Sequence, residues 1–66
     1  MQVTINGEAR QFAHSLTVAE LVTQLGVDTR QAAVEINREI VPKSAYGSRA
    51  VAERDEIEIV GFIGGG

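Results

Sequence analysis

Leu16-Thr17-Val18-Ala19-Glu20-Leu21-Val22-Thr23-Gln24-Leu25-Gly26 decides how the rest of this chain must be arranged. Val18, Leu21, Val22 and Leu25 fall at i, i+3, i+4 and i+7, which gathers them into one apolar stripe on a helix. The same residues mark both ends of that helix. Thr17 as N-cap with Glu20 three residues on makes a capping box, and Leu16 and Leu21 are spaced as a hydrophobic staple. Gly26 stands where a left-handed residue stops the helix. A helix with one apolar stripe is buried against another layer, and the flanking sequence offers strands.

On the N-terminal side, Gln2 to Asn6 alternates, with Val3 and Ile5 on one face and Gln2, Thr4 and Asn6 on the other. Asn6-Gly7 supplies the positive backbone angles of a tight hairpin turn. A second strand follows over Glu8 to Ala13, in which Phe12 is the natural core residue and Arg10 shares its parity. Beyond the helix, a polar loop at Asp28 to Gln31 precedes a third strand, Ala33 to Asn37, with Val34 and Ile36 inward. Asn37-Arg38-Glu39 turns into the short pair Ile40-Val41, and Pro42 ends pairing there. Lys43 to Arg49 reads as an irregular connection with a helical turn, anchored by Tyr46. Ala50-Val51-Ala52 makes a brief strand, Glu53-Arg54-Asp55 a turn, and Glu56 to Val60 the last long strand. The passage from the second strand through the helix to the third is a natural crossover. The expected architecture is α+β: a roll in which a mixed sheet of four to five strands packs on one helix.

The last strand runs on into Val60-Gly61-Phe62-Ile63-Gly64-Gly65-Gly66. If Ile57, Ile59 and Ile63 face the core, alternation turns Glu56, Glu58, Val60 and Phe62 outward. Val60 and Phe62, with Ile63, then form apolar docking contacts beside the tail, unless a loop covers Phe62. Glycines without Cβ atoms can thread a channel too narrow for side chains. Three extended residues reach about 10 Å, far enough to carry a carboxylate into another protein. A glycine run at a terminus also occurs as an inert linker or a frayed end.

Sixty-six residues allow one domain with a small core and no deep catalytic cleft. The chain has no cysteine and a single histidine, His14, which excludes a thiol nucleophile, a disulfide staple and a thiolate metal site. Nine acidic residues against six basic ones give a formal charge of −3. With no basic run to track phosphates, nucleic acid is not the expected partner, and a basic protein surface is. Nothing approaches the roughly 20 apolar residues of a membrane span or the pattern of a signal peptide, so no membrane association is expected and the expected compartment is the cytoplasm. Glu56 and Glu58 either steer the tail toward a basic surface or form an ordinary solvated strand face.

Several stretches together resemble one family across essentially the whole chain, the small sulfur carriers of thiamine thiazole synthesis, the ThiS family. They are Val3-Thr4-Ile5-Asn6-Gly7-Glu8, Leu16-Thr17-Val18-Ala19-Glu20-Leu21, Ala33-Val34-Glu35-Ile36-Asn37, Ile40-Val41-Pro42-Lys43, and Asp55-Glu56-Ile57-Glu58-Ile59-Val60 before the glycine end. The resemblance implies a ubiquitin-like β-grasp domain over residues 1–63 and a flexible glycine tail over 64–66. It also implies a carrier with no catalytic residue, no metal and no bound cofactor of its own. A ThiF-type adenylating enzyme, using ATP and Mg²⁺, would activate the carboxylate of Gly66, with Gly64 and Gly65 as the threading segment. A sulfur donor would convert the adenylate to a thiocarboxylate, and thiazole synthase, ThiG, would receive the sulfur.

The chain departs from the family pattern at a few positions. Arg54 stands where a glycine commonly precedes Asp55, Lys43 where arginine is usual, Tyr46 where tryptophan often sits, and Gly66 adds a third glycine. Sulfur carriers of molybdopterin synthesis (MoaD-like) and of tRNA thiolation share the fold and glycine end. Non-covalent ubiquitin-like binding modules share a similar helix start. The helix start and the Ile-Val-Pro stretch favour the thiazole branch.

Overall fold

The computed structural model describes residues 1–61, a five-stranded mixed sheet with one helix packed on one face. The elements are β1 (Gln2–Ile5), β2 (Glu8–Gln11), α1 (Val18–Leu25), β3 (Ala32–Ile36), β4 (Glu39–Ile40) and β5 (Glu56–Gly61), with a 3₁₀ turn at Lys43–Ala45. The strand order is β2-β1-β5-β3-β4. The expected junction between a domain ending at Ile63 and a tail at Gly64 to Gly66 lies outside the described residues.

The helix forms where its caps demand. Thr17 Oγ1 accepts the Glu20 N–H at 3.2 Å, and the Glu20 carboxylate accepts the Thr17 N–H at 2.8 Å, completing the capping box. Gly26 closes the helix at φ 71°. Val18, Leu21 and Val22 are buried and Leu25 packs partly against the core, so the apolar stripe faces the sheet as its spacing requires. From the sheet side, Val3, Ile5, Val34, Ile36 and Ile57 complete the core.

The first hairpin turns at Asn6 and Gly7, with φ of 50° and 84°, the two successive positive angles of a two-residue turn. β1 then pairs antiparallel with β2 and parallel with β5, while β3 pairs antiparallel with β5 and with β4. β2 and β3 therefore run the same way, and the chain reaches one from the other through α1, the expected crossover. β1 and β5 occupy the space between them.

Several boundaries differ from the sequence reading. β2 ends at Gln11, although Phe12 still exchanges backbone hydrogen bonds with Met1. Phe12 reaches the core and Arg10, opposite Val3, remains exposed, because this edge of the sheet extends past the helix. Ala50-Val51-Ala52 is not a strand but a single bridge. Ala50 pairs with Thr17 and the Val51 N–H donates to Leu16, so the segment is held by the loop before α1. Tyr46 is buried, as its anchoring role requires.

The second hairpin shows what composition concealed. Asn37 and Arg38 take φ of 53° and 70°, and Arg54 takes 67°, all in the left-handed region that disfavours a side chain. Replacing Arg38 with glycine should stabilise the fold by about 0.5–1 kcal/mol, the relief of that strain less the added freedom of the unfolded chain. Thr17→Ala should cost about 1 kcal/mol by removing the helix cap. Urea denaturation of the two variants, read by circular dichroism, should move the midpoint in opposite directions.

Candidate functional site

The tail is delivered by β5, and β5 is the most constrained strand in the molecule. It lies between β1 and β3, with Ile57 opposite Ile5 on one side and Ile36 on the other. The ladder with β3 continues through Val34–Ile59 and Ala33–Val60 to Ala32–Gly61. The ladder with β1 ends sooner, because β1 turns away at Asn6.

The Asn6 side chain takes over where that ladder stops. Its Oδ1 accepts the Ile59 N–H at 2.8 Å and its Nδ2 donates to the Ile59 carbonyl at 3.4 Å, in place of the next residue of a strand. A second asparagine does the same at the start of β5. Asn37 donates its N–H to the Glu56 carbonyl, and its Oδ1 accepts the Glu56 N–H at 3.0 Å. Asn37 Nδ2 also donates to the buried Asp55 carboxylate at 3.1 Å, and the other Asp55 oxygen accepts the Ala52 N–H at 2.8 Å. Sequence reading assigned Asn6 and Asn37 to turns and missed both clamps. The available signal was asparagine at the end of each strand that precedes a turn, where its side chain can reach a neighbouring backbone.

The loop that starts β3 opposite Gly61 is itself tied down. Asp28 Oδ1 accepts the Arg30 N–H at 2.9 Å, and the Arg30 guanidinium meets Asp28 Oδ2 at 3.1 Å. This hydrogen-bonded guanidinium holds the Asp28 carboxyl below its ordinary pKa. The pair therefore contributes to stability above the unfolded carboxylate's pKa and loses that contribution as pH falls through the lowered folded value. Exposed at the surface, it contributes little.

Of the residues expected to act, Val60 is outward and 44% exposed, at the position alternation gives it. Glu56 and Glu58 are exposed on the same outward face. Gly61 is the last described residue. A Cβ built there would meet only the Gln31 carbonyl at 3.9 Å, an ordinary contact, so space around it does not require glycine. Phe62, Ile63, Gly64, Gly65 and Gly66 lie outside the described residues. Among the described residues no group of three or more His, Cys, Asp or Glu side chains could hold a metal ion, and no helix is long and apolar enough to cross a membrane.

A strand pinned on both edges and running into glycines is one half of the comparison with known proteins; the chain-wide match is the other. The model of the ThiS family matches residues 3–66. The chain belongs to the ThiS family. This is the sulfur carrier family of thiamine biosynthesis. The ThiS sulfur carrier protein of Escherichia coli is 38% identical over 66 residues, covering both chains completely. The crystal structure of a ThiS thiamine biosynthesis protein from Geobacter metallireducens superposes with a TM-score of 0.87 at 35% identity, again over the whole of both chains. The shared fold is the ubiquitin-like β-grasp. A thiazole synthase of Paramagnetospirillum magneticum is 58% identical over all 66 residues, and this chain spans 20% of its length. The ThiS-like unit thus occurs both as a small protein and as one part of a longer chain.

The asparagine clamp can be separated from the turn it sits in. Asn6→Gly keeps the positive φ and removes the side chain, so it should cost about 1 kcal/mol and accelerate exchange of the Ile59 amide. Asn6→Ala should cost more, because alanine also resists that backbone angle. Hydrogen exchange followed by NMR, alongside urea denaturation, reads both effects.

Proposed function

We propose that this chain carries sulfur as a thiocarboxylate on Gly66, formed and discharged in the active sites of partner enzymes. The carrying observation is membership of the ThiS family combined with a rigidly held β5 that ends five residues before Gly66. Those five residues span at most about 17 Å when extended, enough to enter a neighbouring active site while the sheet stays outside.

A carboxylate is a poor electrophile, so the first step is its activation by a ThiF-type adenylating enzyme. The Gly66 carboxylate attacks the α-phosphorus of Mg²⁺-bound ATP, pyrophosphate leaves, and an acyl adenylate remains. Sulfur from a donor then attacks the carbonyl carbon and AMP departs with one of the original carboxylate oxygens. The resulting thiocarboxylate is a soft nucleophile that passes its sulfur to a carbohydrate-derived intermediate on thiazole synthase, ThiG, regenerating the carboxylate. That a close relative of this sequence forms part of a thiazole synthase chain supports that enzyme as the acceptor. ATP and Mg²⁺ belong to the activating enzyme and the sulfur to its donor, so the carrier contributes the reacting group and its placement. Gly64 and Gly65 thread the channel, and Val60, Phe62 and Ile63 contact its mouth.

Incubation with the activating enzyme, ATP and a sulfide source should raise the intact mass by the difference between sulfur and oxygen. Gly65→Trp should abolish that increment while leaving the circular dichroism spectrum unchanged. An unmodified wild-type chain beside an active control carrier would overturn the proposal, and an unaffected Gly65→Trp variant would overturn the threading role.

A further inference from the structure

The two large hydrophobic side chains exposed among the described residues are Ile40 at 68% and Val60 at 44%, and both lie on the sheet face turned away from α1. Register fixes that placement. Val60 stands opposite Ala33, and Ile40 stands opposite Glu35, two residues further along β3 on the same side. Between the two apolar groups, Glu35 and Glu58 face each other directly across the antiparallel ladder. Glu56 continues the acidic row on β5. Like charges directly opposite one another weaken a strand pair. Among the described residues the one ion pair is Arg30–Asp28, so no cation of those residues lies within salt-bridge distance of Glu35 or Glu58.

We infer that this outer face is a docking platform for a basic protein surface, in which an arginine of the partner enters between Glu35 and Glu58 while Ile40 and Val60 pack on apolar groups beside it. The inference rests on the proposed carrier role and identifies the partner as the thiazole synthase that accepts the sulfur. Charge selects the occupant. A second copy of this face would set carboxylates against carboxylates, and nucleic acid phosphates would be repelled in the same way. An arginine suits the pair because its planar fork of donors can bond two carboxylates at once. Position supports the same partner: Val60 precedes Gly61, where β5 gives way to the glycine end, so docking here sets the tail's point of departure at the enzyme surface. Glu35 is half-buried, which limits its motion and keeps the pair in place for an incoming cation.

The test is the affinity of the whole chain for thiazole synthase, measured by calorimetry at low and high salt. The double variant Glu35→Lys/Glu58→Lys should weaken binding at least fivefold and lose the salt dependence of the wild type, while Glu8→Lys on the far edge strand should bind as wild type does. Glu58→Gln separates recognition from folding: it should raise the melting temperature by relieving the facing charges and still weaken binding. A smaller loss in the double variant, with wild-type binding intact, overturns the docking face alone. Absence of wild-type binding overturns the transfer to thiazole synthase and this face with it.

Discussion

Ile57 stands where the two ladders of this fold cross. It faces Ile5 in a parallel pair and Ile36 in an antiparallel one, and it is 1% exposed beneath the helix. Parallel and antiparallel neighbours on the two edges of one strand require the chain to close the sheet from both ends, because β1 and β5 are the first and last strands in the sequence. The site at the end of β5 can therefore exist only once the fold is complete. A chain of this size has little stability to spare, so a strand that must present a reacting terminus is placed in the centre of the sheet, where its position is most strongly determined.

Backbone pairing alone does not hold β5 along its length. β1 is too short to reach Ile59, and the connection into β5 must turn at Asp55. Two asparagines at positive φ solve both problems, Asn6 by imitating a further strand residue and Asn37 by bonding Glu56 and the buried Asp55 carboxylate. The left-handed conformation that makes a tight hairpin turn possible also aims the short amide side chain at the neighbouring backbone. Arg38 and Arg54 occupy equivalent backbone angles without that benefit, and nothing in the structure explains their side chains there.

The sheet separates two kinds of work by face. Toward α1, alternate residues are aliphatic and buried, and they supply the cohesion of the domain. Away from α1, the same strands carry facing glutamates and exposed Ile40 and Val60, an arrangement that does nothing for stability in isolation. A carrier whose chemistry occurs in other proteins needs a surface to be recognised by, and strand alternation provides one at the expense of no core position.

By itself the sequence determined the helix and its caps, the inward residues of β1, β3 and β5, the Asn6-Gly7 hairpin and the family. These are local facts: periodicity, cap chemistry and turn preference act over a few residues, and they do not depend on distant neighbours. The outward direction of Val60 was also legible, since alternation from buried Ile57 fixes it. Tertiary structure alone decided that β2 stops at Gln11 beyond the helix, that Ala50 to Ala52 bridges to the helix start, that Asn6 clamps Ile59, and that Glu35 faces Glu58. Each of these depends on register between segments far apart in the chain. Register is set by the packing of the whole sheet on α1, and a slip of one residue would have turned every one of those side chains to the other face.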